Sequence, residues 1–270
     1  MTNASSLETL RRIREALEAA VSAISTFIPG DVTAEQKSQG RGPVTEADRV
    51  SNRVLRDMLL NDGEGWLSEE TVDDLGRLEK QRVWVVDPLD GTLEFVAGIP
   101  EWCVSVAMVE NGRAIAGGIC NPVSRETILG SVETGVTYNG ERARPSAKAE
   151  LNGAVVLASR SELKRGEWER FQNGLLEIRP MGSVAYKLAL VAAGRADATW
   201  TLTPKNEWDV AAGAALVEAS GGCVNGLYNT SLSFNNKSPL LSGLIASGPN
   251  LRGPITSLLG GHPQSTGSRG

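Results

Sequence analysis

The sequence predicts an α/β protein whose N-terminal half is α+β. Three observations carry this. Near the N-terminus, apolar residues recur at three- and four-residue steps, as on one face of a helix. From Val83 the pattern changes to short apolar, β-branched runs separated by turn residues. In the second half, short strands alternate with alanine-rich helices. These shifts divide the chain into an N-terminal subdomain of residues 1–148, a C-terminal α/β subdomain of residues 149–259 and a disordered tail, 260–270.

Taken in order, Leu10, Ile13, Leu17, Val21, Ile24 and Ile28 mark a helix from near Ser6 to near Phe27, stopped by Pro29-Gly30. Lys37 to Pro43 is polar and reads as a mobile loop. Thr45-Glu46-Ala47-Asp48 opens a second helix with a hydroxyl cap and early acids. Its apolar face is Val50, Val54, Met58 and Leu59, and it ends near Asn61-Asp62-Gly63. Val83–Val86 and Cys103–Val109 are buried strands. Asn111-Gly112 is a tight turn into Ala114–Cys120, and Thr127–Gly130 and Gly135–Tyr138 extend the antiparallel region. Pro145–Asn152 is a connection. A strand at Ala154–Ala158 and a helix at Glu167–Leu176 follow. Next come a helix at Ser183–Ala193 ended by Gly194 and a strand at Ala196–Thr201. A helix at Asp209–Ser220, stopped by Gly221-Gly222, and a strand at Leu244–Ser247 complete the series. No fixed-period repeat is present.

The composition excludes several classes. With 270 residues, 41% hydrophobic and 22% charged, the chain can bury a sizeable core. A net charge of −5 and the lack of a dense basic patch argue against a nucleic acid polymer as partner. The single histidine, His262, lies in the glycine-rich tail. Mechanisms built on a rigid histidine base, nucleophile or zinc ligand are therefore disfavoured. Cys103, Cys120 and Cys223 are odd in number and widely spaced, which reads as buried reduced thiols. Neither a signal peptide nor an 18-residue apolar run is evident, so a cytoplasmic protein with no membrane partner is expected.

The strongest local signal is Asp87-Pro88-Leu89-Asp90-Gly91-Thr92, directly after the apolar strand. Carboxylates beside a core are costly unless paired or metal-bound. Gly91 lets the backbone approach an anion, and Thr92 starts a helical stretch whose free amides favour phosphate. A capped turn with solvated aspartates accounts for this segment equally well. Glu69-Glu70 alone reads more simply as a solvated acidic loop. Asp209, after Trp208, is first of all a helix cap. Together, Glu69, Asp87, Asp90 and Asp209 can form an all-oxygen site suited to magnesium or manganese. Phosphoryl transfer over such ions needs no histidine.

Three motifs in this order and spacing are specific: Leu67-Ser68-Glu69-Glu70, Asp87-Pro88-Leu89-Asp90-Gly91-Thr92, and Trp208-Asp209-Val210-Ala211-Ala212-Gly213. Val44-Thr45-Glu46-Ala47-Asp48 accompanies them. Over residues 7 to 250 the chain resembles the inositol monophosphatase superfamily of lithium-sensitive, magnesium-dependent phosphatases. Leu67–Phe95 and Pro204–Asp209 look closest to its CysQ-type 3′(2′),5′-bisphosphate nucleotidases. The resemblance implies a layered α-β-α-β-α sandwich of the sugar-phosphatase type and, as in many members, a homodimer. It also implies two to three Mg²⁺ ions, with Mn²⁺ as a substitute. Glu69, Asp87 and the Leu89 carbonyl would hold the first ion, and Asp87, Asp90 and Asp209 the second. Glu69 and waters would contact a third. Thr92, bonded to Asp48, would orient metal-activated water for direct in-line attack. Gly91 and Thr92 amides would cradle the phosphate, and Glu70 would support a ligand. Lys37 falls in a loop that members use near the metals.

Substrate choice follows from one departure. Inositol-specific members carry an acid seven residues before the helix aspartate, where this chain has Leu202. Lys187, after Gly182-Ser183, and Lys205 lie nearby and suit a second phosphate, although each can equally be a solvated surface lysine. The expected substrate is therefore a small phosphorylated metabolite, first a nucleotide bisphosphate such as PAP, with inositol-1-phosphate or a related sugar phosphate as the alternative. Haloacid-dehalogenase-type chemistry fits less well, because its aspartates are two apart and Asp87 and Asp90 are three apart. A non-enzymatic divalent-metal-binding protein is a distant alternative, without an EF-hand loop to support it.

Overall fold

The structure is a computed structural model and describes residues 3–36 and 42–260. Lys37, most of its loop and the tail carrying His262 lie outside these residues. The helices are α1 (Asn3–Ile24), α2 (Glu46–Leu59), α3 (Thr92–Val96), α4 (Arg160–Lys164), α5 (Val184–Ala192), α6 (Glu207–Ser220) and α7 (Arg252–Gly260). The first strands are β1 (Glu35–Gln36), β2 (Pro43–Val44), β3 (Gly65–Ser68), β4 (Arg82–Asp90), β5 (Cys103–Glu110) and β6 (Arg113–Asn121). They continue with β7 (Glu126–Ser131), β8 (Gly135–Tyr138), β9 (Glu141–Ala143), β10 (Ala154–Ser159) and β11 (Leu176–Met181). The last are β12 (Ala198–Thr201), β13 (Lys205–Asn206), β14 (Cys223–Gly226), β15 (Leu240–Leu241) and β16 (Leu244–Ser247).

Strands β3 to β9 form one sheet in chain order, antiparallel except for the parallel edge pair β3–β4. A second sheet runs β11-β10-β12-β16-β14. Side-chain alternation along β4 and β5 decides the layering. Trp84, Val86, Val104, Val106 and Met108 face the apolar stripe of α1 and α2, including Ile13, Leu17 and Leu55. Val83, Val85, Cys103, Ala107 and Val109 face α5 and α6 on the other side. Those two helices also meet the second sheet at Leu157, Leu244 and Ala246. The far face of that sheet carries Trp168, Phe171, Leu251 and Ile255. The order is thus helix, sheet, helix, sheet, helix, as expected. Each large side chain buried in these layers contributes about 1.5–3 kcal/mol. At Gly213 an added Cβ would lie 2.3 Å from Leu188 Cβ, so the alanine-rich pair α5–α6 requires a glycine there to pack this closely.

The helix expected at Glu167–Leu176 is absent. A short 3-10 turn, Glu169–Phe171, stands there, and Leu176 begins β11. Trp168 and Phe171 have helical spacing but pack on Trp200, with ring centroids 4.8 and 5.3 Å away. Gly166 and Gly174, at φ of 78° and 82°, break the helix on either side. The edge strands β3 and β14 and helix α7 carry too weak a period to be read from sequence, and Gly260 closes α7 rather than opening the tail. All three cysteines are free, but only Cys103 is buried; Cys120 and Cys223 are partly exposed, against expectation.

Candidate metal centre and active site

Asp87 and Asp90 come together through a fault in strand pairing. Three residues apart on a regular strand, they would face opposite sides. Here Asp87 pairs with Ser105 and Asp90 with Cys103, so three steps on β4 match two on β5. This bulge turns both carboxylates to the α5–α6 side. The Leu89 amide donates to Asp87 Oδ1 at 3.0 Å, and Ser51 Oγ ties α2 to the Pro88 carbonyl at 2.8 Å. Gly91 follows at φ 101°, where an added Cβ would meet the Glu101 carbonyl at 2.9 Å. Only glycine lets the chain turn there into α3.

Glu69 arrives from the parallel edge strand. Ser68 is in register with Val86, and the Glu69 amide continues the pairing to the Val86 carbonyl at 3.4 Å, which sets Glu69 beside Asp87. Asp209 stands in the first turn of α6, where its Oδ2 accepts the Asn206 amide at 3.1 Å. Asn206, rather than Asp209, is the N-cap residue of α6, and Asp209 completes the capping box from the third helical position. Carboxylate oxygens of Glu69, Asp87 and Asp209 lie within 4.8 Å of one another. Burial first, then the charges of Glu69, Asp90 and Asp209, push Asp87 well above the usual carboxylate range. Burial and then Asp90 and Glu69 do the same to Asp209. Crowded acids with an all-oxygen donor set fit a hard divalent cation of the magnesium or manganese class.

Asp90 stands beside this triplet. Its Oδ2 accepts Ser183 Oγ and the Ala185 amide, both at 2.7 Å, and so binds the first turn of α5. Burial raises Asp90, opposed by these two hydrogen bonds and by Lys187 and Lys205. Thr92 Oγ1 lies 3.0 Å from Asp48 Oδ1 and 3.1 Å from the Leu89 carbonyl. Asp48 Oδ2 accepts the Thr45 amide and hydroxyl at 2.8 and 2.6 Å, which fixes the carboxylate toward Thr92. The Glu70 amide donates to Ser68 Oγ at 3.3 Å.

Both lysines already have partners within the protein. Lys187 is buried, and its Nζ donates to the Ser183 carbonyl at 2.7 Å. Lys205 Nζ lies 3.1 Å from Glu162 Oε1. Neither is the free surface cation that a second phosphate would need. A cleft of about 360 Å³ brings together Glu69, Asp87, Leu89, Asp90, Gly91, Thr92, Ser183, Lys187, Lys205 and Asp209. Sequence reasoning missed Glu94, Ser159 and Ser161 in its walls. Glu94 stands within the Thr92–Val96 helical stretch and was readable as a neighbour of the site, whereas Ser159 and Ser161 are placed by the end of β10 and had no sequence signal.

The arrangement is thus a carboxylate-rich cleft with a threonine–aspartate pair, Thr92 and Asp48, close to its acids. The profile of the inositol monophosphatase family matches residues 6–256, and the chain belongs to that family of metal-dependent phosphoric monoester hydrolases. The fructose-1,6-bisphosphatase/inositol-1-monophosphatase of Thermotoga maritima is 35% identical over 217 residues, covering 78% of this chain and 82% of that protein. The structure of inositol monophosphatase from Anabaena superposes with a TM-score of 0.81 at 26% identity, covering 95% of this chain and 97% of that one. CysQ from Bacteroides thetaiotaomicron gives 0.75 at 27% identity, covering 90% and 97%. Among the described residues, no helix is long and apolar enough to cross a membrane.

Proposed function

We propose that the chain is a magnesium-dependent hydrolase of a small polyol or sugar monophosphate, of the inositol-1-phosphate class, acting by direct attack of water on phosphorus. The observation that carries the chemistry is the convergence of Glu69, Asp87 and Asp209 on the floor of an open cleft. Magnesium, when bound there, offsets phosphate charge and makes water a better nucleophile. Glu69, Asp87, Asp209, Asp90 and the Leu89 carbonyl are the groups that would hold it. Thr92 donates to Asp48, so its oxygen lone pairs remain to accept a hydrogen bond from water and aim it. The amides of Gly91 and Thr92 are donors for phosphoryl oxygens.

The substrate reading rests on the lysines. With Lys187 held by carbonyls and Lys205 by Glu162, the described cleft offers no uncommitted lysine for a second phosphate. Ser159 and Ser161 instead supply hydroxyls that suit a polyol. A nucleotide bisphosphate is the second reading, favoured by the likeness to CysQ. Phosphate release from inositol-1-phosphate, fructose-1,6-bisphosphate and adenosine 3′,5′-bisphosphate, with magnesium and with chelator, tests both. The highest kcat/KM is expected for inositol-1-phosphate, with all release lost in chelator. Preference for the adenosine bisphosphate would overturn the substrate reading, and release in chelator would overturn the metal.

A further inference from the structure

We propose that Lys187 is a positioning residue for Asp90: its ammonium clamps the turn between β11 and α5 in the conformation that directs Ser183 and Ala185 onto that carboxylate. This rests on the assignment of Asp90 to the metal centre. An ammonium has three N–H donors and no acceptor. Those of Lys187 face three successive carbonyls of one turn: Ser183 at 2.7 Å, Gly182 at 3.4 Å and Met181 at 3.5 Å. The side chain is 4% exposed, so these carbonyls are what make burial of the cation tolerable.

Peptide units are planar and trans, so carbonyls gathered inward on Nζ turn the following amides outward. The Gly182 amide accordingly reaches Glu101 Oε2 at 2.8 Å. Ser183 is then held at φ 53° and ψ 125°, a left-handed φ that a non-glycine residue adopts only when its surroundings impose it. In that conformation Ser183 Oγ accepts the Tyr186 amide at 3.0 Å and donates to Asp90 Oδ2, beside the Ala185 amide. Two donors on one oxygen fix the carboxylate's plane. The chain thus reads from cation to turn to carboxylate, and the lysine acts without touching substrate. Its charge also sits among acids: burial lowers its proton affinity, while Asp90 and Glu162 draw it back up.

Calorimetric magnesium binding to the full chain, with no substrate present, tests the clamp in a double-mutant cycle of Lys187→Met and Asp90→Asn. Lys187→Met alone is expected to weaken magnesium binding by about 10- to 100-fold, as loss of groups that orient ligands does. In the Asp90→Asn background the same change should alter it less than about twofold. Equal losses in both backgrounds, or unchanged magnesium affinity in Lys187→Met, would overturn the proposal. So would a raised KM at saturating magnesium with unaltered metal affinity, which would put Lys187 on the substrate. If Lys187→Met does not fold, Lys187→Gln carries the same cycle, and failure of both assigns the lysine to folding and ends the idea. An unchanged magnesium affinity in Asp90→Asn alone would instead show that the metal assignment is at fault.

Discussion

Two buried carboxylates, Glu162 and Asp87, are 1% and 2% exposed and have opposite surroundings. Glu162 Oε1 accepts Thr201 Oγ1 at 2.5 Å and Thr203 Oγ1 at 3.1 Å, and stands 3.1 Å from Lys205 Nζ. Its Oε2 accepts the Trp168 indole N–H at 3.1 Å. Burial pushes the Glu162 carboxyl up, but Thr201, the Lys205 charge and Trp168 together hold it below the usual range. Asp87 has the Leu89 amide on Oδ1 and three acids around it. The protein surrounds one acid with hydrogen-bond donors and a lysine, and the other mainly with further acids. Burial alone therefore does not mark a functional acid; the sign of its neighbours does.

The largest expected contrast is in activity. Asp87→Asn should lower phosphate release at saturating magnesium by at least ~100-fold, since loss of a ligand exceeds the effect of losing a group that orients one. The metal-free variant should nevertheless melt no lower than wild type, because a crowded charge has been removed. Glu162→Gln should do the reverse. It leaves Lys205 without a counter-charge and costs about 2 kcal/mol of stability, a value kept low because Lys205 is partly exposed. Its kcat should change by less than about tenfold, since Glu162 has no place in the attack on phosphorus. Parallel denaturation and turnover measurements on both variants check this. If Asp87→Asn were the more destabilising in metal-free protein, the two acids would not differ as argued.

Asp87 and Glu162 also differ in how far the sequence reveals them. Asp87 follows an apolar strand and precedes Pro88, Asp90 and Gly91, so its position is marked locally. Asp209 is marked by the helix whose first turn it occupies. Glu69 carries weaker marks, because its meaning depends on the parallel pairing of β3 with β4, and Gly65–Ser68 is too short to show a period. Glu162 has none: its four partners are Trp168, Thr201, Thr203 and Lys205, and Trp168 packs on Trp200 in a cluster that joins two segments distant in sequence. The direction of Lys187 was hidden for a related reason. A lysine near a glycine-serine turn suggests an anion, but only the three-dimensional turn shows that carbonyls reach it first. The layers themselves were legible, because α1, α2, β4, β5 and α6 are long enough to carry period and composition.

The smallest effect is in the pH dependence of stability without metal, and it separates the two acids by sign. Asp87 and Asp209, raised by burial and by the charges of Glu69 and Asp90, hold protons in the folded state that the unfolded chain has released. Stability must then fall as pH rises from the unfolded carboxylate value, about 4, toward their raised values. Glu162 is lowered, so its contribution is complete above about 4 and is lost as pH falls through its depressed value. Calorimetry in chelator should show the melting temperature rising by about 2–4 °C between pH 8 and pH 5, roughly 1 kcal/mol for a chain of this size. Asp87→Asn should flatten that limb, and Glu162→Gln should act only on the acid side. Magnesium should raise the melting temperature more at pH 8 than at pH 5, because the cation binds the ionised carboxylates that protons compete for. A metal-free melting temperature that climbs from pH 5 to pH 8 would mean that Asp87 and Asp209 are already as well satisfied as Glu162, and the contrast between the two sites would be lost.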